Sequence, residues 1–180
     1  MRPDGHQTGM TRRREYDGLR EYPFDGLSIH DRMQRAADAV WDAHADTGVS
    51  WVGFYHGPGE RTEDGRIVGE DEMLLGPRRD TPACSPIGLH GACGRAYREG
   101  VTLVINDVAA LGEGYVACDP RDAAELVIPI YDESARCRGV LDLDRFQKGA
   151  FSEDDAESLH ALLVRAGLTR GDPPSIETIG

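Results

Sequence analysis

Four cysteines carry most of the chemistry this 180-residue chain offers, and each has a different setting. Cys118 lies in "GEGYVACDP", after a short apolar run and before an Asp-Pro break, a placement that suits packing, metal ligation or nucleophilic attack alike. Cys93, in "GACG", falls at the front of a predicted helix, where unpaired backbone amides and the dipole favour a thiolate. The alternative for Cys93 is a small side chain fitting a tight helix–sheet contact. Cys84, in "TPACSPIG", sits between prolines at a predicted strand end or loop, and Cys137, in "ARCRGV", at a predicted hairpin as a bystander thiol. Cys84, His90, Cys93 and Cys118 also offer a tetrahedral metal set. Structural zinc ligands come in pairs two to four residues apart, and only His90 and Cys93 do so here, so no metal is expected.

Carboxylates and aromatics fall in patterns that can serve those thiols. In "VLDLDR" the two-residue period of a strand sends Leu141 and Leu143 to one face and Asp142 and Asp144 to the other. The pair is either a solvated sheet face or an anionic patch able to hold a cation such as an ammonium group. Glu125 opens the apolar run "ELVIPI" seven residues after Cys118, either as a strand-edge residue in solvent or as a proton donor near the cysteine loop. Trp51 and Tyr55, four apart on a predicted strand, share a face and form either ordinary core or an apolar pocket wall.

The elements that must position these residues are legible from period and punctuation. "SIHDRMQRAADAVWDAHADTG" predicts an amphipathic helix opened by Ser28 and Asp31 and stopped by Gly48. "SWVGFYHG" and "DEMLLGP" predict strands around the polar loop "GPGERTEDGR", which suggests a meander. That loop lacks the Lys-Ser/Thr ending of a phosphate-binding loop. "GACGRAYREG" predicts a short helix; "VTLVIND", "AELVIPIYD" and "RCRGVLDLDR" predict strands; "SEDDAESLHALLVRAG" predicts a terminal helix capped by Ser152 and Asp155. Helices at both ends of hairpin-linked strands argue an α+β domain with an antiparallel sheet. We place it at residues 28–167, after an irregular lead-in (1–27) and before a C-terminal tail (168–180).

Bulk properties exclude several classes. A net charge of −12 repels a polyanion, so nucleic acid is not an expected partner, and the basic "TRRRE" is read as part of a solvated lead-in. No apolar run approaches the roughly 20 residues of a membrane span, and the N-terminus lacks a signal-peptide core, which predicts a cytoplasmic protein without a membrane partner. In that compartment cysteines serve as packing, ligands or redox thiols rather than structural disulfides.

Taken in order, "SWVGFY", "LLGP", "AC" at Ala83-Cys84, "GACG", "VACD", "ELVIPI" and "GVLDLD" resemble the free methionine-(R)-sulfoxide reductases, a GAF-domain family, over roughly residues 28–166. The resemblance implies a GAF-type central antiparallel sheet flanked by helices. It also implies thioredoxin-dependent reduction of free, not peptide-bound, methionine-R-sulfoxide with no cofactor, in a homodimer. By the same resemblance Cys118 is the nucleophile, Cys84 the resolving cysteine and Cys93 a second redox partner. Glu125, Asp142 and Asp144 are then substrate-binding acids, and Trp51 and Tyr55 the pocket for the substrate methyl. Tyr115 and the segment "PRRDTP" depart from the family pattern. The competing implication is a non-catalytic GAF sensor of a small ligand or of redox state.

Overall fold

The computed structural model describes residues 16–79, 83–112 and 118–180. Tyr115 and residues 80–82 lie outside them. Helix α1 (Ile29–His44) starts where the Ser28 hydroxyl accepts the Asp31 amide at 3.1 Å, and its stripe of Met33, Ala36, Ala37 and Val40 is buried. A 3₁₀ turn, Ala45–Thr47, follows, and Gly48 at φ 99° turns the chain into the sheet. Helix α3 (Glu153–Arg165) opens on a full capping box between Ser152 and Asp155.

The strands are β1 (Val49–His56), β2 (Glu72–Arg79), β3 (Ile87–Gly88), β4 (Thr102–Ile105), β5 (Ala124–Tyr131), β6 (Cys137–Arg145) and β7 (Ile176–Ile179). They form one sheet in the order β3-β2-β1-β6-β5-β4-β7. Strands β1, β6 and β5 lie at its centre and are antiparallel. Their alternation divides the core. Val52, Phe54, Leu126, Ile128, Leu141 and Leu143 pack with α1 and α3 on one face. Trp51, Tyr55, Leu103, Val127 and Val140 pack with helix α2 (Ala92–Glu99) on the other. Burying such a side chain stabilises the fold by about 1.5–3 kcal/mol, so both faces are committed and the register of β6 cannot slip.

The structure adds detail at three places. Within the C-terminal tail at 168–180, Leu168 and Thr169 are buried, and β7 pairs with β4 in parallel. The central sheet is antiparallel as expected, β7 adds one parallel edge strand, and the class is α+β. The four-residue run of β7 behind "GDPPS" was too short to show a period. Nor is the arrangement a plain meander, because β1 takes β6, from much later in the chain, as its second neighbour. In the lead-in, residues Asp17–Glu21 make a 3₁₀ turn, Leu19 and Phe24 join the core, and the Tyr16 hydroxyl donates to the capping Asp155 at 2.7 Å. Among the described residues no helix is long and apolar enough to cross a membrane.

Candidate active site

The site is built on adjacent rows across the α2-facing side of the sheet. In one row Trp51 pairs with Asp144, Asp144 with Glu125, and Glu125 with Ile105. In the next, Gly53 pairs with Asp142, Asp142 with Val127, and Val127 with Leu103. Three strands thus bring Glu125, Asp142 and Asp144 together in a setting where each is no more than 8% exposed. The solvated-face reading of the aspartates and the strand-edge reading of Glu125 are both excluded by that burial.

Two glycines permit this packing. A Cβ on Gly53 would stand 2.6 Å from Cη2 of Trp51, so the missing side chain is what lets the indole lie along the sheet toward Tyr55. A Cβ on Gly139 would overlap the carbonyl oxygen of Tyr55, which seats β6 closely against β1. The Trp51 and Tyr55 rings are tilted, with centroids 5.9 Å apart. Tyr55 lines the cavity described below, and Trp51 stands behind it, buried, with Nε1 unpartnered among the described residues.

A cavity of about 250 Å³ opens over these rows. Glu125, Asp142 and Asp144 form its acidic side; Cys84, Cys93 and Cys118 line it too, with Tyr55 between. The remaining wall runs from Pro86 through β3 and the following turn to Ala92, the first residue of α2. Its volume is below the roughly 300–1,000 Å³ of drug-sized ligand clefts and suits a molecule the size of an amino acid. Pro86, Ile87, Gly88 and Gly91 were not legible as site residues, because glycines and prolines in a turn carry no chemical signal until the turn is seen to face a cavity.

The three thiols differ in kind. The backbone N–H of Cys84 donates to Sγ of Cys118 at 3.4 Å, and the Tyr55 hydroxyl donates to the Cys84 carbonyl at 2.9 Å while standing 4.0 Å from the same sulfur. Burial and the adjoining Cys84 thiol push the Cys118 thiol up to about 12, the Cys84 amide working in the other direction. Cys93 is buried at the start of α2 and donates to Oδ2 of Asp142 at 3.2 Å. Of the two readings for this helix front, burial favours packing over a thiolate: burial first, then the charges of Asp142 and Glu125, hold Cys93 well above the ordinary thiol value. Cys137 opens β6, half-buried, with its thiol 3.4 Å from the Gly139 carbonyl, apart from the cavity.

The acids are displaced as well. Burial raises Asp142 to about 7, and burial with the neighbouring Asp142 and Glu125 raises Asp144 well above the carboxylate range. Of the two, Asp144 is held toward its neutral form by burial and by its acidic neighbours, and Asp142, raised to about 7, carries charge more readily. Oδ1 of Asp142 is buried without a hydrogen-bond partner among the described residues. Asp122, four residues after Cys118 and raised to about 6 chiefly by burial, is a further buried acid that sequence reasoning missed.

The GAF domain family matches this chain over residues 26–168. The free methionine-R-sulfoxide reductase of Neisseria meningitidis, solved in complex with its substrate, superposes with a TM-score of 0.66 at 30% identity, over 79% of this chain and 77% of that one. This chain belongs to the GAF-domain free methionine-R-sulfoxide reductase family. The free methionine-R-sulfoxide reductase of Saccharomyces cerevisiae is 29% identical to this family member over 82% of its chain and 77% of the yeast protein. The reduced form of fRMsr of Staphylococcus aureus gives a TM-score of 0.72 at 28% identity, covering 86% of this reductase-family chain and 94% of its own.

Proposed function

We propose that the protein reduces free L-methionine-(R)-sulfoxide to methionine in the cavity over β1, β5 and β6. The observation that carries this reading is the meeting, in one cavity of amino-acid size, of the Cys118–Cys84 contact with three buried carboxyls. The kinship with free methionine-R-sulfoxide reductases supports the substrate.

The substrate ammonium lies against Asp142, whose unpartnered oxygen seeks a charge-bearing donor, and its methyl lies on the Tyr55 ring with Trp51 behind. The carboxylate meets the backbone amides at the start of α2, where Gly91 serves as N-cap without a side chain to cover them. A methionine within a peptide lacks both charges and cannot satisfy this pocket. Glu125, or Asp144 beside it, whose burial favours the neutral carboxyl, hydrogen-bonds the sulfoxide oxygen and makes the sulfur electrophilic.

Cys118 attacks as the thiolate. In net terms its thiol and the sulfoxide become a sulfenic acid and a thioether, so sulfur of the substrate gains the two electrons that Cys118 loses. Cys84 then condenses with the sulfenic acid, releasing water and leaving a Cys84–Cys118 disulfide. Its backbone already touches the Cys118 sulfur, which favours Cys84 over Cys93 as the resolving thiol. A dithiol protein of the thioredoxin class, in a reducing cytoplasm, resets the pair by exchange, and no bound cofactor takes part.

A thioredoxin-coupled NADPH assay with free R-sulfoxide, free S-sulfoxide and a sulfoxide-containing peptide tests the reading. Turnover of the free R isomer alone, abolished by Cys118→Ser, is expected. Activity that survives that substitution would sink the nucleophile assignment, and equal use of the peptide would sink the pocket. Loss of no thiols on adding free sulfoxide would mark a sensor instead.

A further inference from the structure

We propose that Cys93, Glu125 and Asp142 form a binding site for a thiophilic divalent cation such as Zn²⁺ or Cd²⁺, which occupies the substrate cavity and blocks it. One ligand atom from each residue lies within 4.8 Å of the other two, and all three residues are buried. Around a tetrahedral zinc, with Zn–S near 2.3 Å and Zn–O near 2.0–2.2 Å, neighbouring ligand atoms stand about 3.3–3.7 Å apart. The Cys93–Asp142 pair, at 3.2 Å, is slightly tighter than that spacing, and Glu125, its ligand atom within 4.8 Å of both, moves inward to complete the set.

Two further observations point to a cation. Asp142 is 6% exposed and lines the cavity, and its Oδ1 has no hydrogen-bond partner among the described residues. Among those residues the cavity lining holds three carboxyls and no lysine or arginine. The thiolate supplies the softness that selects zinc or cadmium over magnesium or calcium. Binding exchanges the Cys93 S–H proton, released to solvent, for an S–metal bond. The chain provides three ligands, so the fourth position faces the cavity and is open to water.

The site differs from the Cys84/His90/Cys93/Cys118 set weighed from sequence. Those residues all line the cavity, but the ligand atoms that converge are one thiol and two carboxyls on α2, β5 and β6. An ion there removes the carboxylate that holds the substrate ammonium, so binding of metal and of free sulfoxide is mutually exclusive. That competition rests on the proposed function; the metal site does not.

The test is titration of the reduced protein with Cd²⁺, followed by the ultraviolet thiolate-to-cadmium charge-transfer band. One ion per chain is expected, with the intensity of a single thiolate, and unchanged in Cys137→Ser and in Cys84→Ser/Cys118→Ser. Cys93→Ser, and the near-isosteric Asp142→Asn, should each weaken binding about 100-fold or more. A band that survives Cys93→Ser, or that vanishes in Cys84→Ser/Cys118→Ser, overturns the site. In Cys84→Ser/Cys118→Ser, which cannot turn over, saturating free methionine sulfoxide should displace the ion; retention of the ion overturns the competition. The coupled assay in metal-free buffer judges the reductase reading separately.

Discussion

The backbone amide of Cys84 donates to the sulfur of Cys118 at 3.4 Å, across 34 residues of sequence. It brings a second thiol beside the first before any oxidation has occurred. Tyr55 holds this pairing from the sheet, because its hydroxyl binds the Cys84 carbonyl. Replacing Cys84 with Ser should therefore separate reduction from recycling. One methionine per chain is expected in a single turnover, followed by a sulfenic acid on Cys118 that dimedone traps, with steady-state turnover under thioredoxin lower by about 100-fold or more. Undiminished steady-state turnover would show that Cys93 resolves Cys118.

The Cys118 thiol, pushed up to about 12 mainly by burial, is almost wholly protonated at pH 7 in the free protein. Its alkylation by iodoacetamide should then rise about tenfold per pH unit from pH 7 to 10 without a plateau. A plateau near pH 8 in the rate of Cys118 labelling, followed by mass spectrometry, would contradict this.

Asp142 carries the oxygen that lacks a partner, and the substrate ammonium is the group expected to fill it. A hydrogen bond to a charged group is worth about 1.5–3 kcal/mol, so Asp142→Asn should raise KM by about 10- to 150-fold. Calorimetry with free methionine should show the same loss, and an unchanged affinity would place the ammonium elsewhere.

Asp144 trades stability for chemistry. Its carboxyl is held above its unfolded value by burial and by Asp142 and Glu125. A raised acid contributes its full stability below the unfolded pKa near 4 and loses it as pH rises toward the folded pKa. Asp144→Asn should accordingly raise the melting temperature by a few degrees at pH 8 and much less at pH 4, while lowering activity. Thermal melts at the two pH values check the sign; a variant less stable at pH 8 than the parent would refute it.

Gly53 leaves the space that Trp51 occupies. An added methyl would meet Cη2 of Trp51 at 2.6 Å and Cβ of Arg78 at 2.7 Å. Gly53→Ala should cost about 1–3 kcal/mol in denaturant melts and displace the indole from behind Tyr55, raising KM. Unaltered tryptophan fluorescence and KM would show that the indole does not support the pocket.

The sequence by itself determined the elements and much of the cast of the site. Period-two alternation separated Leu141 and Leu143 from Asp142 and Asp144, helical spacing with Ser28 and Ser152 caps bounded α1 and α3, and glycines bracketed α2. These signals are local, because a side chain's direction follows from its own backbone period. What spacing left open was decided by non-local pairing. Whether Asp142 meets water or a thiol depends on β1 and β5 flanking β6 and on α2 covering that face, with Cys93 and Asp142 49 residues apart in the chain. Likewise the helix position of Cys93 left thiolate and packing both open. The helix terminus lies next in sequence, whereas the burial and the carboxylates that outweigh it arrive only when three strands and a helix close over the same cavity.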